Sequence, residues 1–563
     1  MSALLRSAAA LPLFALLPTL LPAQEVIGTR DARTARVDAL FAAYDRDDTP
    51  GCALGVYRDG AIAYARGYGL ADLERRVPIT PKSVFDLGST SKQITATSII
   101  LLAQEGKLSL DDDVRRWIPE LPQYQRPITI RHLLNHTSGL RDYIGLLTMG
   151  GARIDDVTTD DDALAAIARQ RELNFAPGDE FLYSNSGYFL LSVIVERVAD
   201  KPLREFAKER IFAPLGMTRT HYLDSYADVV PDRALAYEAR RGGGYRSDMP
   251  RWLQTGDGAV FSTVEELLLW DRNFYDPKVG GQGLLTELHA QGRLTAGREL
   301  DYASGLMVGS HRGLRTVMHG GSWGGYRAEL MRFPDERLSV AVLCNLASSD
   351  PSGLARGVAE IFLEDRMQPA AARPGAPSAA APAAPGVAVD AARLQALVGM
   401  YRDPVSRATR TLTFADGKLF VGAGPRFELL PRSETEFAVV GAPVEVAVAF
   451  PAAGRLVWTQ AGEEPQTFER LALVTPAADE LAAYAGAFFS EELQATFTLA
   501  VVDGALTLRR PTAEPAALRP LVRDEFSVSG VTLRFVRDGA GAVSGFMLDA
   551  GRVRNLRFVR TGG

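Results

Sequence analysis

A chain of 563 residues exceeds the size at which one hydrophobic core keeps growing, so two or three domains are expected. Hydrophobic residues at 47% and charged residues at 23% give the composition of a soluble globular protein with a sizeable core. A formal net charge of −6 removes any broad electrostatic reason to expect nucleic acid or an anionic membrane surface as a partner.

The first 23 residues read as an export signal, with Arg6 in a short basic region, an apolar run over residues 8–21, and Pro22-Ala23 before Gln24. That run is too short and too broken by Pro12 and Pro18 to span a membrane, so the mature protein is expected to be periplasmic or secreted without a transmembrane span. The two cysteines, Cys52 and Cys344, both fall in apolar strand-like runs. They read as buried free thiols, able to pair only if those two strands are neighbours.

Residues 31–44 carry helical spacing through Val37, Leu40, Phe41 and Tyr44, and a hairpin follows with strands 53–57 and 62–67 about Asp59-Gly60. A helix apolar on nearly every face then opens near Ser89 and runs to a stop at Gly106. Residues 129–139 predict a short helix capped by Thr129. Its His132 and His136 have the i, i+4 spacing of metal ligands, but no glutamate follows His132, and they read as a helix end and loop. Another apolar helix spans residues 188–198, and a glycine-rich loop over residues 256–263 leads into a helix over 264–274. Three strand-like runs, 314–318, 326–333 and 338–345, close this region, with His319-Gly320-Gly321-Ser322 between the first two. Strands, a helical middle and further strands predict one α+β domain over residues 24–366.

Residues 367–390 collapse to Ala and Pro and read as an extended linker. Beyond it Leu394, Gly399, Tyr401, Asp416-Gly417 and Leu419 recur 87 positions later as Leu481, Gly486, Phe488, Asp503-Gly504 and Leu506. Phe468-x-Arg470 returns as Phe558-x-Arg560, so residues 391–475 and 476–563 are two copies of one unit. About seven short alternating runs in each predict a small antiparallel barrel per copy.

Chemistry concentrates at Ser89 and Lys92. A serine hydroxyl needs a base within reach and a site for the negative charge that its attack creates, and an i, i+3 spacing brings a lysine amine over it. A rival nucleophile is Ser322 in Gly320-Gly321-Ser322-Trp323-Gly324, which satisfies the G-x-S-x-G elbow. That elbow requires a histidine downstream and a following helix, whereas His319 is the last histidine and a strand follows.

Ser89-x-x-Lys92, Tyr183-x-Asn185 and His319-x-Gly321, in this order and with these flanks, resemble the serine β-lactamase and penicillin-recognising superfamily. The nearest branch is that of class C β-lactamase-related esterases and D-amino-acid peptidases, and the resemblance covers residues 37–363. It implies an antiparallel sheet flanked by helices with an all-helical subdomain, followed here by two small lipocalin-like barrels. It also implies Ser89 as the acyl-forming nucleophile, Lys92 as the group that keeps Ser89 and Tyr183 suitably protonated, and Tyr183 as the general base. Asn185, His319 and Gly321 would bind substrate, and the backbone N–H groups of Ser89 and Ser322 would hold the oxyanion.

No cofactor and no metal ion are implied, and the partner is a small-molecule or peptide substrate. Where β-lactamases carry Lys-Thr-Gly this chain carries His-Gly-Gly, and an ordinary histidine is largely neutral at pH 7. That favours esters, amides or peptides over substrates needing a fixed cation at that place. The alternative is a weakly active binding protein that uses its barrels for a ligand, a partner or cell-wall material.

Overall fold

The computed structural model describes residues 25–369 and 387–562, apart from 226, 253, 405, 423–426, 441–445 and 461–464. The predicted export signal and most of the Ala/Pro-rich stretch lie outside the described residues.

Seven strands form one antiparallel sheet: β1 (Val26–Gly28), β2 (Cys52–Arg58), β3 (Ala61–Tyr68), β4 (Met307–His311), β5 (Leu314–Trp323), β6 (Tyr326–Phe333) and β7 (Leu338–Cys344), in the order β1-β3-β2-β7-β6-β5-β4. The β2–β3 hairpin turns at Asp59 and Gly60, both at positive φ (51° and 76°), as a two-residue type I′ connection requires. Period-two alternation then sorts the side chains. Leu54, Val56, Met331, Val340 and Val342 pack on one face against α1 (Ala32–Leu40) and the C-terminal helix of the domain, Pro351–Phe362. Ala53, Ala328, Leu330, Ala341 and Leu343 face the helical subdomain on the other.

At the centre of that subdomain α2 (Lys92–Gln104) packs on α6 (Asn185–Ala199), with α3 (Ile130–Leu134), α4 (Tyr143–Gly150) and α5 (Asp160–Ala168) around them; α7 (Val264–Arg272) and α8 (Pro351–Phe362) lie against the sheet. Eleven consecutive residues of α2, Lys92 to Leu102, are buried, which is why its sequence has no polar face. A single 3₁₀ turn, Gly88–Ser91, precedes α2, so Ser89 stands on the turn and not in the helix proper.

Three expectations change. Strand β5 does not stop at Met318 but runs through His319-Gly320-Gly321-Ser322 to Trp323, because β6 pairs with it residue by residue from Val317↔Arg332 to Trp323↔Tyr326. The G-x-S-x-G match is therefore strand and hairpin with no elbow. The helix predicted from Thr129 ends early, at Leu134, with Asn135 as its cap, and His136 already sits at a φ of 58°. Cys52 and Cys344, read above as free thiols, are joined by a disulfide. Neither run alone could disclose this: β2 and β7 lie side by side in a register that sets Cys52 directly opposite Cys344.

The first C-terminal repeat closes into an eight-stranded barrel from Gly399–Arg402 to Gln466–Arg470, and the second forms a nine-stranded sheet from Gly486–Ser490 to Val553–Arg560. The repeated residues do the same work twice. Asp416-Gly417 and Asp503-Gly504 make left-handed turns, with φ of 50° and 76° in one and 49° and 77° in the other. Arg470 donates to the carbonyls of Ala396 and Val398, and Arg560 to those of Ala483 and Ala485, so each arginine holds the short helix of its repeat.

The two repeats meet at the buried Glu525, which pairs with Arg402 and Arg407. The second is also locked to the α+β domain. Leu146 and Met149 of α4 and Ala166 of α5 belong to the same apolar cluster as Phe488, Phe497 and Leu556. Arg141, buried beside this cluster, pairs with Glu492 at 2.8 Å and gives further hydrogen bonds to Gln170 and to the carbonyls of Arg554 and Asn555. A buried cation with its donors so engaged is costly to unpair, so this interface is specific.

Glu329 of β6 is buried against the first turn of α8, where Ser352 donates to Oε2 while Oε1 has no partner among the described residues. Burial pushes its carboxyl up to about 7, against the opposing pull of Ser352 and Arg356. The folded state thus binds a proton that the unfolded state releases near 4.5, and Glu329 costs stability progressively as pH rises from there to about 7. Glu329→Gln is expected to gain on wild type across that window in denaturant titrations and to hold the gain above it; an equal or shrinking difference would refute the burial. For the disulfide, the double change Cys52→Ala, Cys344→Ala is expected to lose about 2–5 kcal/mol. Two thiols titrating in denatured, unreduced wild type would contradict the pairing.

Candidate active site

Ser89 owes its position to how closely β5 approaches the 3₁₀ turn. A Cβ on Gly321 would lie 1.8 Å from the Leu87 carbonyl oxygen, and one on Gly88, whose φ is 50°, would lie 2.6 Å from the Ser322 nitrogen. Only glycine fits at either place. Thr90 Oγ1 donates to the His319 carbonyl at 3.0 Å, and Ser91 Oγ accepts from the Val260 N–H at 3.0 Å, pinning the turn from both sides. The consequence is that the backbone of Ser322 runs beside Gly88, next to Ser89.

Lys92 is fully buried, and its Nζ donates to Ser89 Oγ at 3.1 Å, Asn185 Oδ1 at 2.9 Å and the Asp257 carbonyl at 2.6 Å. An ammonium has three protons, and all three are committed. In this state Lys92 donates to Ser89 and cannot take its proton. Asn185 opens α6, and its own N–H donates to Asp142 Oδ2 at 2.8 Å; with Oδ1 on Lys92, its amide nitrogen is the end left for the cleft.

Tyr183 lies over Lys92, with Nζ 4.9 Å from the ring centroid, and its buried hydroxyl has no hydrogen-bond partner among the described residues. An orphaned buried hydroxyl is expensive to maintain, and the ring that carries it lies over the lysine that donates to Ser89. His136 explains how the ring is held. Its ring lies tilted against Tyr183, centroids 4.1 Å apart, and it accepts from the Ser184 N–H through Nδ1, while burial and Lys92 keep it well below the ordinary histidine range. His132 accepts from the Thr129 N–H inside its own capping box, so the two histidines serve different local contacts.

His319 has both ring nitrogens engaged. Nδ1 faces the Gly320 carbonyl at 2.6 Å and must carry the proton, which leaves Nε2 to accept from the Tyr302 hydroxyl at 2.9 Å. Burial, then Lys92, lowers its pKa to about 4, so the third motif presents a neutral ring to the cleft. Gly321 fits against Leu87 as described and supplies closeness of approach.

Three contributors have no motif of their own. Asp257 holds Lys92 through its backbone carbonyl; its side chain accepts from Tyr143 at 3.1 Å, and burial pushes its carboxyl up to about 7. The glycines on either side, Gly256 and Gly258, were the available signal. Tyr302 fixes the His319 tautomer. Arg552, from the second C-terminal repeat, lines the same cleft with its guanidinium 4.7 Å from the Tyr183 ring centroid. The cleft measures about 720 Å³ and runs from Ser89 between Tyr183 and His319 to an aromatic wall of Trp252 and Trp323. Among the described residues no group of His, Cys, Asp or Glu could hold a metal ion, and no helix is long and apolar enough to cross a membrane.

Residues 37–362 match the Beta-lactamase family. The chain is 31% identical over 408 residues to Penicillin-binding protein 4* of Bacillus subtilis (strain 168), an alignment covering 69% of this chain and 87% of that protein. It is 31% identical over 322 residues to a D-aminopeptidase of Gluconobacter oxydans (strain 621H), covering 57% of this chain and 60% of the relative, so the chain spans about three fifths of that relative's length. Two solved structures share the fold: an octameric penicillin-binding protein homologue from Pyrococcus abyssi (TM-score 0.55, 23% identity, 78% of this chain and 99% of that one) and a D-amino acid amidase from Ochrobactrum anthropi SV3 (TM-score 0.52, 22% identity, 60% and 100%). With the glycine-seated serine turn, the buried lysine and a family match over more than half its length, the chain belongs to the Beta-lactamase family.

Proposed function

We propose that the protein is an exported serine hydrolase that cleaves ester or amide bonds through an acyl-enzyme on Ser89, acting as an esterase or as a D-residue-selective peptidase. The observation that carries this reading is the Lys92 ammonium hydrogen-bonded to Ser89 Oγ beneath the ring of Tyr183, whose hydroxyl has no hydrogen-bond partner among the described residues. Ser89 Oγ attacks the carbonyl carbon as its proton passes to Tyr183 Oη, which takes it as a phenolate beside the Lys92 ammonium. The carbonyl oxygen becomes an oxyanion between the N–H groups of Ser89 and Ser322. Its collapse expels the alcohol or amine, which leaves with a proton from Tyr183, and water then attacks the acyl-serine by the reverse proton path.

The Gluconobacter and Bacillus relatives, named for D-aminopeptidase and penicillin-binding activity, support the peptidase variant. The neutral His319 argues against any substrate that needs a fixed cation on β5. Export is supported by the Cys52–Cys344 disulfide, a bond kept in oxidising compartments, together with the amino-terminal basic and apolar stretch.

Ser89→Ala is expected to lower kcat/KM on a p-nitrophenyl ester at least about a thousandfold, as nucleophile removal does elsewhere. Ser322→Ala keeps its backbone N–H and is expected to cost less than about tenfold. The reverse order would transfer the nucleophile to Ser322. Tyr183→Phe is expected to lower kcat far more than it changes KM, since the hydroxyl makes no hydrogen bond to a described residue; a loss confined to KM would remove its role in proton transfer.

A further inference from the structure

We infer that Arg552, carried into the cleft by the second C-terminal repeat, selects substrates bearing a carboxylate; this rests on the acyl-serine reading above. The residue sits on the tight turn between β8 (Val543–Ala550) and β9 (Val553–Arg560), beside Gly551, whose φ is 56°. The turn is clamped by the α+β domain. The Arg552 carbonyl accepts from Asn174 Nδ2 at 2.9 Å and from the Asp142 N–H at 3.3 Å, while the Arg554 N–H donates to Asn174 Oδ1 at 2.7 Å. Arg141, buried and paired with Glu492, holds the next two carbonyls of β9, those of Arg554 and Asn555. This many contacts to main chain fix where the Arg552 side chain begins.

Its guanidinium is held differently. It lies over the Tyr183 ring, and its nearest charge is Asp142 Oδ2 at 3.7 Å, an oxygen already accepting from the Asn185 N–H. No hydrogen bond from the guanidinium to a described residue is formed, and the side chain is 47% exposed on the cleft. The other cations about the cleft are already engaged with protein groups: Lys92 with its three acceptors, Arg327 through Nη1 with the carbonyls of Gly324 and Tyr326, and Arg233 through Nε with the Tyr326 hydroxyl. With His319 neutral, Arg552 is, among the described cleft residues, the cation whose whole guanidinium fork is left without a hydrogen bond, the geometry that matches a carboxylate. It approaches from the helical-subdomain side, across the cleft from β5. A substrate anion would therefore be read from the opposite wall to the one that bears the third motif.

Two matched pairs test this in the full-length protein and locate the anion. D-alanyl-glycine against D-alanyl-glycinamide puts the carboxylate on the leaving group, and D-glutamyl against D-glutaminyl p-nitroanilide puts it on the acyl group. In one arm wild type is expected to favour the acid by kcat/KM. Arg552→Gln should lower that acid-to-amide ratio at least about tenfold, mainly through KM, and Arg552→Lys should restore part of it. A wild type without preference for the acid in either arm, or a ratio that Arg552→Gln leaves unmoved, overturns the assignment. Failure of the acyl-serine reading would be distinct, showing as turnover that survives Ser89→Ala.

Discussion

The site depends on one steric fact: β5 passes so close to the turn carrying Ser89 that two positions, Gly88 and Gly321, admit no side chain. That contact sets the Ser322 backbone beside Ser89, and the Thr90 hydroxyl and Ser91 fasten the turn to the strands on either side. Lys92 follows one turn later and is buried with three acceptors, one of them a main-chain carbonyl. Substituting either glycine would move the turn and, with it, the lysine, so Ser89, Lys92 and the Ser322 backbone are one rigid unit and not three separate placements.

The helical subdomain supplies the opposite wall, and its order is maintained by aromatic contacts around a neutral histidine. His136 touches Tyr183, Tyr188 and Tyr302, and Tyr302 in turn holds His319. Two histidines near a buried ammonium would repel it if charged, and burial keeps both neutral. The positive charge of the cleft thus resides in Lys92 and in arginines, with Arg552 arriving from the second C-terminal repeat, whose docking is secured by Arg141 and an apolar cluster shared with α4 and α5.

Much of this was legible in the sequence, where local chemistry specifies local structure. The Ser89/Lys92 spacing survives although Ser89 stands on a 3₁₀ turn, because i and i+3 share a face in either geometry. The Asp-Gly pairs and the arginine that ends each repeat announced two similar units, since each performs the same turn or cap in both. What stayed hidden depends on partners distant in sequence. The disulfide required knowing that β2 and β7 are neighbours in register. The strand through Gly320-Gly321 ran against β-propensity and is stabilised by its ladder with β6 and by the turn it touches. Asp257 acts through its carbonyl, which any residue would offer, and Arg552 lies in a hairpin with no signature of its own.

The central claim is that Ser89 is the nucleophile of this cleft, and covalent labelling tests it without a known substrate. A fluorophosphonate reacts with activated serines and remains attached, so peptide mapping by mass spectrometry reads the modified residue directly. The account predicts one adduct per chain, on Ser89, abolished by Ser89→Ala and slowed by Tyr183→Phe. An adduct on Ser322, or no adduct on wild-type protein, would contradict it.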